Sequence, residues 1–406
     1  MDTSPRSVDV LIVGASLSAA ACAKRLVDAG LETVCIERKE LPRHKICSGI
    51  LSPRGHRFLL ENFGPIPREI LHEPTSCTGV AFHFPSAPSI EIDFDGGPTP
   101  HLYRRNSDWW AIRRSGVEVQ DRTSFVRLEE VEGGVLVDLN RRGRPEQIRA
   151  RWVVAADGPT SMVVKAVYPG YQETIPWFMV GQKFHDIVRC PLDTRYFHFW
   201  FHPGLGHYTW SHARDGRQIV GVGFDVGHNF DAAHRNVVRY LHRRHDVELG
   251  PAQDSEGCGE NFGLSLINRY VFGRGRVLVT GQAAGFLNMM AEGMSAALHS
   301  GAIAGEAVVE AAFHGRPVQE VYRKHIESEV RRCSDQWNPL QILFARPHEA
   351  DFWKALRKLG WGDRARVVSE VVKFAQLYAK FRWGRQILGQ AFHRLVAGRY
   401  EAARWI

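Results

Sequence analysis

The sequence has no uninterrupted apolar run of about eighteen residues, the length a bilayer-spanning helix needs. A transmembrane helix is therefore not expected. The opening MDTSPRS lacks the apolar core of a secretory signal, so a cytoplasmic location is the expectation. There is no C-x-x-C pair. The cysteines (Cys22, Cys35, Cys47, Cys77, Cys190, Cys258 and Cys333) are odd in number and scattered. That argues against a disulfide framework or a zinc site and for a reducing compartment, and no metal site is expected. Internal repeats, low-complexity tracts and known nucleic-acid motifs are also lacking, so nucleic acid is not an expected partner.

Acidic residues are scarce in one place. Residues 352–406 hold 12 Lys+Arg against 3 Asp+Glu, a net +9 that exceeds the +8 of the whole chain. The basic character thus belongs to the C-terminal segment, which also carries Trp353, Trp361, Phe374, Tyr378, Phe381, Trp383, Phe392 and Trp405. Two readings stand. The segment is a helical cap with its aromatics buried, or it makes peripheral contact with an anionic membrane.

What is present begins at residues 8–37, VDVLIVGASLSAAACAKRLVDAGLETVCIE. The apolar run 8–13 suits a buried parallel strand. Residues 19–29 are Ala-rich and helix-favouring, and Gly30 stands where a helix stops. Residues 31–36 give a second strand that ends on Glu37, placed to bind a ribose diol. This is the layout of a dinucleotide-binding βαβ unit. Its three glycine positions hold Gly14, Ser16 and Ala19, where the fingerprint is G-x-G-x-x-G. Gly14 keeps the sharp turn, and Ala19 is a mild change at a packing position. Ser16 either donates its hydroxyl to a phosphate or crowds the ligand.

Two later segments add to this. Residues 151–165, RWVVAADGPTSMVVK, run a short strand into Asp157-Gly158 and then Ser161. An Asp-Gly after a strand is most often a plain turn. Residues 276–301, RVLVTGQAAGFLNMMAEGMSAALHSG, run a buried strand into the turn 281–285 and then a small-residue helix through Ala304. Such a strand-to-helix turn presents amide N–H groups to an anion, or simply packs tightly.

These three segments in this order, with PRHKICSGILSPR at 42–54 and the Tyr208-Thr209-Trp210 run that leads to VGVG at 220–223, resemble the geranylgeranyl reductase family. That family lies within the flavoproteins built like para-hydroxybenzoate hydroxylase. The similarity spans roughly residues 8–330. It implies an α/β fold: a Rossmann-like FAD-binding domain, an inserted antiparallel β-sheet substrate domain and a C-terminal helical segment. The expected bounds are 1–80, 100–165 and 265–330 for the discontinuous FAD domain, 166–264 with 80–100 for the substrate sheet, and 331–406 for the helical segment.

The resemblance implies FAD, with NAD(P)H as the candidate reductant. Gly14, Ala15, Ser16 and Ala19 would face the pyrophosphate. Glu37 would bind the adenosine ribose, with Arg38 at the adenine end. Arg104 matches an arginine at a helix start, and Asp157 and Gly158 would shape the cleft shared with the reductant. Gly281, Gln282 and Gly285 would lie along the ribityl–pyrophosphate portion, Gln282 replacing the family's Asp. The loop after Gly285 lacks the family's proline and is one residue shorter. The implied activity is reduction of carbon–carbon double bonds in a prenyl chain, with Cys47 as the acid and Lys45 tuning it or offsetting charge on the flavin. Tyr208 and Trp210, with Phe197, Phe199, Trp200 and Phe201, would line an apolar substrate tunnel or form plain sheet core. His212, where the family has Phe, is a further candidate proton donor. Two alternatives remain open on the same scaffold: a flavin-dependent monooxygenase or halogenase acting on a natural product, and a non-redox cyclase or binding protein.

Overall fold

The computed structural model describes residues 5–84, 87–175, 177–200, 202, 205, 206, 208–261, 264, 269–288 and 291–344. The basic aromatic residues beyond 352, Phe201 and the Tyr208 side chain lie outside the described residues. The chain forms two compact units. The first comprises residues up to Cys77, Asp95–Trp177 and Glu260–Cys333; the second comprises Thr78–Phe94 and Phe178–Gly259, with the described residues from Ser334.

The first unit is built on five parallel strands: β1 (Arg6–Val13), β2 (Thr33–Ile36), β3 (Glu118–Gln120), β4 (Arg144–Ala155) and β5 (Val277–Val279). Their order is β5-β4-β1-β2-β3, and every neighbouring pair is parallel. A sheet covered on both faces needs strands apolar on both faces. That is why Val10, Leu11 and Ile12, like Val153 and Val154, are all buried. A hairpin, Thr123–Val131 and Gly134–Arg141, extends the sheet by antiparallel pairing on the first half of β4, and Gly273–Arg274 pairs antiparallel with β5.

Between β1 and β2 runs α1 (Leu17–Asp28). Ser16 caps it by accepting the Ala19 N–H at 3.4 Å, and the chain leaves through Gly30 at φ +78°. The unit also holds helices α2 (Pro53–Phe63), α3 (Arg104–Arg114) and the long α4 (Met294–His314), with a short helix at Met162–Val167 and a two-stranded sheet of Leu71–Cys77 and Thr99–Leu102. Helix α4 runs on past Ala304, where the small-residue pattern predicted its end. A last helix, α5 (Val318–Phe344), enters the expected 331–406 segment.

Helices α1 and α4 approach backbone to backbone. A Cβ on Gly301 would stand 2.1 Å from the Ser18 carbonyl oxygen, and one on Gly305 would stand 2.7 Å from that of Cys22. The backbones touch here, and only glycine permits it.

The second unit is a seven-stranded sheet in the order Glu248–Glu260, Phe178–Arg189, Arg217–Asp225, Tyr208–Arg214, Tyr196–Trp200, Gly79–Phe84, Ala87–Asp93. Its core gathers Trp200, Val220 and Val222 with Val237 and Leu241 from helix Phe230–His245. The antiparallel sheet that the family resemblance implied is present, with one parallel pair in it: Tyr196–Trp200 pairs parallel with Gly79–Phe84. These strands lie more than a hundred residues apart, and no hairpin fixes their relative direction.

Gly301→Ala tests the helix contact. Alanine raises intrinsic helix propensity by about 1 kcal/mol, but here overpacking should outweigh that and lower stability by about 1–3 kcal/mol. Urea denaturation of the variant should show a lower midpoint. A higher midpoint would contradict the backbone-to-backbone packing.

Candidate functional site

The three turns marked in the sequence meet at the N-terminal end of α1. Gly14 has φ +97°, and a Cβ there would stand 2.7 Å from the Ala156 carbonyl oxygen and from the Asp157 Cα. Ser16 Oγ donates to the Ala156 carbonyl at 3.0 Å. Ser18 Oγ donates to Thr280 Oγ1 at 3.2 Å, and Gly281, at φ +62°, faces Ser18. The Gly281 N–H is held by Ser300 Oγ of α4 at 3.0 Å. Residues from the ends of β1, β4 and β5 thus converge on one helix terminus, the crevice beyond the strand ends where open α/β sheets bind ligands.

The Ser16 side chain is turned inward. Its proton goes to Ala156 and its oxygen accepts from Ala19. Ala19 itself is fully buried. The remaining first-turn amides have no intrahelical acceptor and lie at the positive end of the helix dipole.

Beside this terminus is a buried charge network. Glu37 Oε2 accepts from the Ala15 N–H at 3.2 Å and from Arg43 Nε at 2.8 Å, while Oε1 accepts from the Lys39 N–H at 3.0 Å. Arg43 also donates to the Ala15 carbonyl at 2.8 Å and to Asp108 at 3.2 Å. Asp108 is 1% exposed and takes two hydrogen bonds from Arg104, at 2.9 and 3.2 Å. The arginine against Glu37 is Arg43, which was not among the expected site residues; Arg38, expected at the adenine end, is exposed. Asp108 was not singled out in the sequence. Its signal was the i,i+4 spacing from Arg104 on one helix.

The same network holds the two residues expected to do chemistry. Cys47 Sγ accepts the Gly49 N–H at 3.4 Å and hydrogen-bonds to the Arg104 guanidinium. The ammonium form of Lys45 is disfavoured by burial and then by Arg104, with Asp108 and Glu260 opposing, so its pKa is lowered. On the far side, the Gln282 amide Nε2 donates to the Glu260 carboxylate, and Asn261 Nδ2 donates to the Gln282 carbonyl at 2.7 Å. Neither Glu260 nor Asn261 belongs to a sequence motif. Gly285, at φ +95°, closes the short 281–284 turn in the left-handed conformation.

Asp157 acts partly as a cap: its Oδ2 accepts the Met162 and Val163 N–H groups at 2.9 and 3.4 Å. Its Oδ1 is buried without a hydrogen-bond partner, and burial raises its pKa. Gly158, at φ +85°, has open space where a Cβ would lie. In the second unit, Trp210 lies flat on Gly221, with Cε2 2.0 Å from where a Cβ would be. Phe197 and Phe199 pack ring to ring at 4.6 Å, and His212 stacks on Phe197 at 4.7 Å.

The first unit's residues fit FAD. The glycine-only cradle at Gly14, the free helix-terminal amides and the orphaned Asp157 Oδ1 offer a diphosphate and a polyol what they need. Asp108 supplies a check on the network. Burial alone would raise its pKa, but Arg104 and Arg43 outweigh burial and the net shift is downward. Its contribution to stability is therefore present above its unfolded pKa of about 4 and is lost as pH falls through the folded value. Asp108→Asn should cost about 3–5 kcal/mol at pH 7 by leaving two buried guanidinium groups underpaired, and should flatten the loss of stability below about pH 4. Urea unfolding at several pH values measures both effects. Unchanged stability at pH 7 would contradict the network.

Comparison with known proteins agrees with this geometry. The family profile described as an FAD binding domain matches residues 7–298. Digeranylgeranylglycerophospholipid reductase 2 of Methanosphaera stadtmanae is 27% identical over 326 residues, covering 76% of this chain and 79% of that protein. A geranylgeranyl bacteriochlorophyll reductase-like protein from Thermoplasma acidophilum shares the fold with a TM-score of 0.75 at 16% identity, over 95% of this chain and 100% of that one. The myxobacterial chondrochloren halogenase CndH does so with a TM-score of 0.70 at 17% identity, over 97% and 91%. The chain belongs to the FAD-binding-domain family of flavoproteins, as an FAD-dependent oxidoreductase similar to the geranylgeranyl reductases.

Proposed function

We propose that this oxidoreductase saturates carbon–carbon double bonds of an isoprenoid chain, with a nicotinamide reductant as its electron source. One observation carries the reading. The 42–54 loop places Cys47 on the Arg104 guanidinium and Lys45 beside it, in the same buried network that braces the α1 turn through Arg43 and Glu37. The named activity of the Methanosphaera relative supports the same substrate class.

In this reading Gly14, Ala15 and the α1 terminus hold the pyrophosphate, Glu37 the adenosine ribose, and the 281–285 turn the ribityl portion. FAD, when bound and reduced, supplies a hydride for one alkene carbon. Cys47 Sγ gives its proton to the other carbon. The Sγ–H bond breaks, a C–H bond forms, and Arg104 stabilises the thiolate left behind. Lys45 Nζ, whose proton is held loosely because burial disfavours the ammonium, reprotonates the sulfur and takes a replacement proton from water. Tyr208 and Trp210 are proposed as substrate-contacting residues on sequence pattern alone. The basic segment 352–406 is proposed to meet the membrane from which such a lipid comes.

The test is anaerobic turnover of a digeranylgeranyl glycerophospholipid with a chemical reductant, read by mass spectrometry. Each saturated double bond should add the mass of one hydrogen molecule. A hydroxylated or halogenated product that forms only with oxygen would overturn the reading. Cys47→Ala should lower kcat by roughly 10²–10⁴ with KM and flavin content unchanged. A wild-type kcat in that variant would remove Cys47 as the acid.

A further inference from the structure

We propose that Asn261 is a further cofactor-contacting residue, taking a ribityl hydroxyl of FAD on its Oδ1, and that Glu260 is the positioning residue that sets the Gln282 amide for the next hydroxyl. The proposal rests on the FAD reading of the same site and goes beyond it. Asn261 is 1% exposed. Its Nδ2 is fixed by the Gln282 backbone carbonyl at 2.7 Å, which settles which end of the amide is which. Its Oδ1 is then a buried acceptor, and it has no hydrogen-bond partner in the protein. A buried carbonyl oxygen without a donor is rare, and it marks a group that something else is meant to satisfy.

The neighbouring side chain is oriented in the same way. Gln282 gives its Nε2 to the Glu260 carboxylate, so its Oε1 is the end left to accept. Gln282 lies within the 281–284 turn and Asn261 is bonded to its backbone; the residue before the turn, Thr280, is bonded to Ser18 in the first turn of α1. Two amide acceptors tied to one turn match a chain of secondary hydroxyls, each a donor, better than they match a phosphate, which offers none at neutral pH. The negative charge at this point resides on Glu260, one residue before Asn261 and behind the Gln282 amide, where Lys45 lies close enough to feel it.

The test compares FAD with ADP, which has the adenine and diphosphate but no ribityl chain, on the full-length protein. Binding is read by flavin fluorescence quenching and by calorimetry. Asn261→Ala should weaken FAD binding about 2–10-fold, the loss of one net hydrogen bond, while ADP affinity stays at the wild-type level; Tm should fall modestly, because the Gln282 carbonyl loses its donor. Glu260→Gln should weaken FAD about 2–3-fold, again without touching ADP, because the amide is no longer pinned by a charge-assisted bond. Equal losses for FAD and ADP, or an unchanged FAD affinity in Asn261→Ala, would overturn the proposal while leaving the FAD site intact. A wild-type protein that takes up no FAD would overturn the proposal together with the reading beneath it.

Discussion

The site depends on the space beside Gly14. The β1 turn passes so close to the end of β4 that a single added carbon would fall within 2.7 Å of the Ala156 carbonyl oxygen. That contact lets Ser16 reach across to cap α1 and bond to Ala156 at once. It also brings Asp157 beside the helix terminus. A larger residue at position 14 would push the first and second turns apart, and the helix amides would face a wider, wetter space. The Gly301 and Gly305 contacts serve the same end from the other side, drawing α4 and the 281–285 turn against α1.

Around this packed junction, charge is arranged to hold the loops rather than to sit free. Glu37, Arg43, Asp108 and Arg104 form a continuous chain of hydrogen bonds from the end of β2 to the start of α3. Buried ion pairs give little net stability, but removing one partner is costly, so such a chain locks geometry. The loop that carries Lys45 and Cys47 is fixed by its neighbours Arg43 and Gly49. In the proposed reaction, a proton donor on a loop pinned this way would keep its position while a long apolar substrate moved through. Positioning of that kind accounts for much of catalytic rate.

Several strands and helices of the first unit were legible because their signal is local. Residues 8–13, 31–36 and 277–279 read as buried strands, and the Ala-rich run after Gly14 reads as a helix, by apolar pattern alone. The meeting of the three turns was inferred from their order and similarity to a family. What stayed hidden was set by distance in the chain. Nothing around Glu260 or Asn261 marks them, since their role comes from a partner more than twenty residues away. Arg43 lay in a recognised run, but nothing local marks it as the partner of Glu37; only the returning loop brings its guanidinium there. Ser16 could be read two ways because its rotamer depends on Ala156, which is 140 residues distant. The parallel pair in the second sheet escaped notice for the same reason.

The visible absorption spectrum of the purified full-length protein, before and after incubation with FAD and desalting, tests the convergence of these turns most directly. Flavin bands that stay with the protein and shift from those of free FAD are the expected result. A protein that is colourless as isolated and remains so after incubation would contradict the account.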